Sequence, residues 1–314
     1  MAVQSDARVA PAPAVAALSR RRQGARRKQG LAAYLFLAPY LILFVGFIVL
    51  PAVFGIWISL HDYDFALFEK PWVGLTNYVD LFTPGSRDFS DFWQSMGATG
   101  IFTLFSVPCL VVIPLGMALL LNRTFPGRTF FRAIFFLPYV LGVAVIGLLF
   151  RYMLDPNIGV VNYFLRSNIP WTTDLPWAWI SLVGMTVWWT LGFNALIYLA
   201  GLTDISPELY EAADMDGANR WQQFRNVTLP GLSQVAVFVV TTTILASANM
   251  FGQSYILTKG APGTATRTII GYIADEGLRS FRMGSAAAMS YVLAIILLLV
   301  SLINFRLFRD RDAS

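Results

Sequence analysis

Six long stretches of the chain carry no Asp, Glu, Lys or Arg, and they constrain the fold more than any other feature. They cover residues 29–61, 92–122, 133–150, 175–203, 226–258 and 283–305. Inside a membrane every backbone polar group must bond internally, so an apolar stretch of about 20 residues can span only as a helix. The sequence therefore predicts an all-α membrane protein with about six transmembrane helices, near residues 32–59, 97–121, 131–151, 178–201, 231–252 and 284–306.

Composition agrees with a chain surrounded by lipid. Charged residues make up only 13% of the sequence, whereas soluble domains carry about 25%. The net charge of +5 does not indicate nucleic-acid binding, because the basic residues lie at the edges of the apolar stretches. The single Cys109 excludes an intrachain disulfide. The G-x-x-x-x-G-K-[ST] phosphate loop is absent from the sequence, and we predict no catalytic or metal-ligating residues.

The basic residues also predict the topology. Residues 1–30 are rich in Ala, Pro and Arg and are expected to form a disordered basic cytoplasmic tail, followed by a membrane domain at 31–309 and a short C-terminal tail at 310–314. Most of the 23 lysines and arginines then fall on the side of both termini, which predicts that both termini are cytoplasmic. The loop 253–283 fits poorly, because it carries four basic residues on the expected outer side.

The loop 202–230 predicts a short helix at the membrane surface. Ser206 suits the N-cap, Pro207 suits the first helical position, and Gly217 suits a left-handed stop, which gives a helix over 207–216. Four of its residues share one face by i, i+3, i+4 spacing: Leu209, Ala212, Ala213 and Asp216. By itself this pattern is equally compatible with a connecting helix that rests on the lipid surface.

The same loop carries a specific resemblance. Glu211-Ala212-Ala213, three residues, Gly217, nine residues and then Val227-Thr228-Leu229-Pro230 resembles the E-A-A-x3-G-x9-I-x-L-P motif of binding-protein-dependent ABC importer permeases. The only departure from the motif is valine at Val227. The wider string from Glu208 is similar to the maltose- and glycerol-3-phosphate-type carbohydrate uptake permeases.

This resemblance implies a type I ABC importer permease fold, in a bacterial cytoplasmic (inner) membrane, with a cytoplasmic EAA coupling helix. The implied partners are a separate ATPase dimer that binds ATP and Mg, a second homologous permease, an extracytoplasmic solute-binding protein and a sugar-like solute. It implies no cofactor in this chain. The external loops 61–95 and 253–283 would meet the binding protein. The residues it assigns to ATPase coupling are Glu208, Glu211, Ala212, Ala213, Asp216, Gly217, Leu229 and Pro230.

Polar and aromatic residues on the predicted fourth and fifth helices are the candidates for a solute path. Thr186 joins one face of the fourth helix, and Gln253 lies near the end of the fifth. By similarity to the maltose-type permeases, the predicted substrate-path residues are Trp189, Thr190, Phe193, Asn194, Thr243, Ser247 and Asn249. Helix packing is the alternative, because Thr and Ser also join transmembrane helices.

The function predicted from these features is a permease subunit that passes a sugar or related polyol and couples its movement to a separate ATPase. A permease for glycerol-3-phosphate or a glycerophosphodiester is the alternative, and it would require basic residues along the path. A facilitative channel without an ATPase and a membrane scaffold without transport also remain open.

Overall fold

The computed structural model of the chain describes residues 36–309, so the predicted tails at 1–30 and 310–314 lie outside the described residues. Helix α1 (Phe36–Ser59) contains one π-helical turn at Val45–Val49 and is exposed to its surroundings almost throughout. It belongs largely to a unit that ends at Trp57, and the chain from Ile58 forms a second compact unit. The predicted start of this helix, at residues 32–35, also lies outside the described part.

The regular secondary structure in the described part of the second unit is helical, apart from one isolated β-bridge between His61 and Trp72, and it includes π-helical segments at Ser254–Thr258 and Asp275–Arg279. Its helices are α2 (Thr76–Asp80), α3 (Phe89–Asn122), α4 (Arg128–Val140), α5 (Val143–Met153), α6 (Val160–Leu165), α7 (Trp177–Asp204), α8 (Pro207–Met215), α9 (Arg220–Gly231), α10 (Ser233–Ala248), α11 (Ile269–Ala274) and α12 (Met283–Arg309).

Four helices, α1, α3, α7 and α12, are each long and apolar enough to cross a membrane. Two bent pairs, α4 with α5 and α9 with α10, bring the number of possible spans to six. This agrees with the predicted all-α membrane fold. The second span starts at Phe89, well before the predicted residue 97, while the fourth and sixth spans match their predicted ranges within a few residues.

The predicted third helix over 131–151 is wrong as a continuous element, because α4 and α5 meet at a 96° bend. Pro138 lies in the last turn of α4, and Leu141 is extended with ψ 135°. Proline supplies no backbone N–H to the carbonyl four residues earlier, and its ring crowds that carbonyl, so the helix is weakened around Pro138. Neither half is long enough to cross a hydrocarbon core of about 30 Å by itself.

The predicted fifth helix over 231–252 is also wrong in its bounds, because the helix there covers only Ser233–Ala248. Pro230 was expected to begin this helix, but it lies in α9, and the chain turns by 68° at Leu232 before α10 starts at Ser233. The Pro230-Gly231 pair explains the break, since both residues are poor in a helix interior. Helix α10 ends at Ala248, so Asn249 lies just beyond it.

Close contacts join the helices around the bent pair α4–α5. A Cβ atom on Gly192 in α7 would come within 2.1 Å of the Phe135 carbonyl oxygen, so only glycine permits this approach of α4 to α7. Asn194 in α7 donates through Nδ2 to the Leu110 carbonyl oxygen of α3 at 3.0 Å. The polar groups in this part of the bundle therefore bond between helices as well as within them.

An ion-pair cluster joins the start of α3 to the loop 253–283 and the start of α12. Arg282 donates to both carboxylate oxygens of Asp88, at 2.6 and 2.9 Å, and Ser285 donates to Asp88 at 2.6 Å. Arg282 also pairs with Glu276 at 3.1 Å, and Arg267 pairs with Asp91 at 2.7 Å. Acidic partners therefore neutralise Arg267 and Arg282, two of the four basic residues of this loop.

The Asp88 carboxylate is stabilised as an anion by this cluster. Burial raises its pKa, but the hydrogen bonds from Arg282 and Ser285 and the charges of Arg282 and Arg87 outweigh that effect, so the pKa of Asp88 is lowered. The unfolded-state pKa of an aspartate is about 3.9. Because the folded pKa is lower, the contribution of Asp88 to stability is present above the unfolded value and is lost as the pH falls through the folded value.

We expect Asp88→Asn to destabilise the protein by about 3–5 kcal/mol at pH 7, because it leaves Arg282 without its main partner in a buried pair. The difference in thermal melting temperature between wild type and D88N should shrink on acidification below about pH 4. Glu69→Gln, at an exposed carboxylate, is the control. A D88N protein that melts like the wild type at pH 7 would refute a stabilising role for the cluster.

Candidate functional site

A cavity of about 320 Å³ lies between α3, α4, α7 and α10. Its walls contain all seven predicted substrate-path residues, Trp189, Thr190, Phe193, Asn194, Thr243, Ser247 and Asn249, together with Thr186 and Gln253. Among residues 36–309, none of those that line it is charged. The structure therefore brings residues from two distant segments of the sequence into one uncharged pocket of the size that small-molecule sites have.

Aromatic rings form one wall of this cavity. Tyr139 stacks on Phe193 with ring centroids 4.4 Å apart and planes 15° apart. Trp189 lies 6.2 Å from Tyr139, and its indole Nε1 donates to the Leu141 carbonyl oxygen at 2.9 Å. That carbonyl is at the break between α4 and α5, so the Trp189 ring is held in place by a backbone group that the break has released.

Several polar side chains of the cavity already form hydrogen bonds within the protein. The Thr190 hydroxyl donates to the Thr186 carbonyl oxygen, and the Asn249 amide donates to the Leu245 carbonyl oxygen. Ser247 accepts a hydrogen bond from Ser106 at 3.0 Å, which joins α10 to α3. Ser247 and Asn194 therefore also serve helix packing. Amide and hydroxyl oxygens keep lone pairs that can accept hydrogen bonds from the hydroxyls of a solute.

Sequence analysis missed several lining residues, chiefly Tyr139 and Phe102. Tyr139 belongs to the predicted third helix, where we predicted no substrate-path residue. The signal that points to it is Pro138, because a proline-induced break exposes the side chains beside it.

The predicted coupling segment forms the helix α8. None of its nine residues is buried. Gly217 has φ +75°, which confirms the expected left-handed stop. Gly217 N–H donates to the Asp214 carbonyl and Ala218 N–H to the Ala213 carbonyl, the bonding pattern of a Schellman C-cap. Ser206 occupies the N-cap position, but its side chain makes no capping hydrogen bond.

A groove of about 410 Å³ follows one face of α8. The residues along it include Leu209, Ala212, Ala213 and Asp216, which the sequence placed on one face, together with Gly217 and Val227. Of the other predicted coupling residues, the exposed Glu208 and Glu211 lie on α8 outside the groove lining, and Leu229 and Pro230 lie in α9. The two alanines leave room for another surface to approach closely.

Side chains on its other face hold α8 to the membrane helices. Tyr210 packs against the cluster that includes Ala118 and Tyr198 and bonds through its hydroxyl to Thr228 at 3.0 Å. Gln223 bonds to the Asp214 carboxylate, and Asn219 forms a capping box with Gln222 at the start of α9. A force applied to the groove face of α8 would therefore reach α9 and the ends of the long helices.

Sequence comparison with protein families gives one family match over most of the chain. The profile described as "Binding-protein-dependent transport system inner membrane component" matches residues 87–310. Among similar proteins, the arabinooligosaccharides transport system permease protein AraP of Bacillus subtilis is 33% identical over 88% of this chain and 88% of its own length. The sn-glycerol-3-phosphate transport system permease protein UgpA of Agrobacterium fabrum is 31% identical over 88% of this chain and 94% of its own length.

Comparison with solved structures gives the same architecture. A chain of a bacterial ABC transporter involved in the import of the acidic polysaccharide alginate superposes with a TM-score of 0.78. The two chains are 25% identical, and the match covers 92% of this chain and 99% of the other.

If the cavity is open to water, a cysteine on its wall should react with a charged, water-soluble thiol reagent. In a Cys109→Ser background, we expect Ala246→Cys, which lines the cavity, to react at least about tenfold faster than Phe238→Cys on the outer face of α10. The reason is that only the hydrated thiol forms a thiolate. Mass spectrometry of the labelled protein measures both rates, and equal rates would contradict a water-accessible cavity.

Proposed function

The chain belongs to the family of inner membrane components of binding-protein-dependent transport systems, and we propose that it forms the translocation path for a neutral sugar or related polyol. The main support for this proposal is the uncharged cavity with an aromatic wall. Its lining includes Trp189, Thr190 and Phe193 from α7 and Thr243 from α10. Aromatic faces accept the apolar face of a sugar ring, and amide and hydroxyl groups bond to its hydroxyls. The name of the relative AraP supports a saccharide solute.

The solute is proposed to reach this cavity from an extracytoplasmic binding protein. ATP hydrolysis belongs to a separate ATPase subunit, which binds ATP and Mg. In this arrangement both termini are cytoplasmic, the groove on α8 faces the ATPase dimer, and a second homologous permease completes the path. The ion-paired outer loops around Asp88 and Arg267 would then meet the binding protein. The exposed small-residue face of α8 supports the placement of the ATPase, because nothing in the described chain covers it.

A phosphorylated solute is the second candidate, favoured by the name of the relative UgpA. A phosphate ester carries negative charge at neutral pH and requires cationic partners in a site of low dielectric. The cavity supplies none from this chain. The neutral solute therefore fits this subunit better.

The experiment that tests the solute class uses the complete transporter, purified with its co-purifying subunits and supplied with its binding protein. We expect neutral sugars to stimulate ATP hydrolysis and glycerol-3-phosphate not to do so. Trp189→Ala should weaken the solute response by at least about tenfold, since it removes a large aromatic surface. Trp189→Phe keeps a ring and should retain most of the response.

The matched control is Trp188→Ala. Trp188 is the neighbouring residue in α7 but lies outside the cavity lining and packs against Phe150. Stimulation by glycerol-3-phosphate alone, or equal losses in W188A and W189A, would contradict the proposed site.

Coupling is tested at Gly217, where an added Cβ would meet no other atom of this chain within 4 Å, so a substitution there disturbs this chain through its backbone conformation. We expect Gly217→Val to abolish solute-stimulated ATP hydrolysis, because valine is strained at φ +75° and would reshape the end of α8. Gly217→Asn should keep much of the activity, since asparagine tolerates the left-handed conformation. Transport that continues without an ATPase, or in G217V at the wild-type rate, would indicate a facilitative channel.

A further inference from the structure

A second cavity, of about 510 Å³, lies on the side of α8 away from the groove. It is bounded by the ends of α3 and α7, by Tyr210 of α8 and by the first turns of α9. Two arginines lie in its wall, Arg123 directly after α3 and Arg220 at the start of α9. It shares no residue with the solute cavity or with the groove.

These arginines differ from those of the outer loops. Arg123 and Arg220 are exposed, and within residues 36–309 neither side chain forms an ion pair or a hydrogen bond. No acidic side chain lines the cavity. By contrast, Arg267 and Arg282 are paired with carboxylates. Two unneutralised guanidinium groups in one cavity favour an anion, and phosphate matches their donor geometry best.

Besides the arginines and the polar Asn122, Gln223 and Thr228, the lining has an apolar part, which favours a lipid as the carrier of the phosphate. Trp221 is 67% exposed, and its ring lies 5.5 Å from that of Phe224. Leu119, near the end of α3, and Leu202, near the end of α7, also belong to the apolar part of the lining. Exposed tryptophan and arginine at the ends of membrane helices are typical of the lipid headgroup region. A free phosphate ion would gain nothing from this apolar wall, whereas a lipid covers it.

We propose that this cavity is a binding site for the headgroup of an anionic phospholipid of the cytoplasmic leaflet, with Arg123 and Arg220 on the phosphate and Trp221 beside the glycerol region. The choice of the cytoplasmic leaflet rests on the proposed function, which places α8 on the cytoplasmic side of the membrane. Basic pockets between membrane helices on the cytoplasmic side commonly hold such headgroups. The bound lipid would join the end of α3 to α9 and so support the platform on which α8 rests.

The test is native mass spectrometry of the complete transporter in detergent, titrated with phosphatidylglycerol or with zwitterionic phosphatidylcholine. We expect the wild type to retain phosphatidylglycerol selectively. The variant R123Q/R220Q should bind it about twentyfold more weakly, because each basic residue near the membrane surface contributes about fivefold. The matched control R128Q/R225Q removes the same charge from two exposed arginines outside the cavity lining and should bind like the wild type.

Equal retention of phosphatidylglycerol by wild type and R123Q/R220Q would overturn the proposal, as would an equal loss in R128Q/R225Q. Displacement of the lipid by millimolar inorganic phosphate would assign the cavity to a soluble anion instead. Loss of the ATPase subunit from R123Q/R220Q with unchanged lipid binding would assign this surface to that subunit. Sugar-stimulated ATP hydrolysis is measured in parallel, so a failed lipid test with intact stimulation overturns this inference alone.

Discussion

The exclusion of water from the membrane interior is the constraint on which the rest of this structure depends. A backbone group or charge left unpaired there costs several kcal/mol, so the chain is organised into apolar helices with its charges at their ends. A long helix without an internal proline, such as α7, meets this requirement along its length by itself. Where a helix breaks, another group must satisfy the released backbone, and Trp189 does so for the Leu141 carbonyl.

The helix break next to Pro138 links this constraint to function. A straight third span would present one continuous surface to its neighbours, whereas the 96° bend turns Tyr139 towards Phe193 and opens a cavity beside α7 and α10. The close approach at Gly192 keeps α4 against α7 on one side of this opening. The same part of the bundle thus combines tight packing with a cavity that presents aromatic and polar groups together.

Charged side chains are paired at one end of the helix bundle, whereas two arginines at the other end are not. The loops beside the starts of α3 and α12 form paired clusters, in which Asp88 and Arg282 neutralise each other and join these two helix starts. At the other end, Arg123 and Arg220 stay unneutralised, and α8 exposes acidic and small residues together. Paired charges make a rigid surface, while unpaired ones attract partners of opposite charge. The surface around α8 is therefore the end of the molecule suited to regulated contacts.

The sequence by itself determined the helical membrane class, the approximate bounds of the uninterrupted spans and the short helix that ends at Gly217, because hydropathy and capping are local properties. It also selected the seven residues that share the solute cavity, by their spacing on two helices and by family resemblance. Only the tertiary structure decided the bends at Leu141 and Leu232, the part played by Tyr139, and the pairing of Asp88 with Arg282. These features depend on contacts between segments far apart in the chain, and no local pattern encodes which neighbour a broken helix or a buried charge will find.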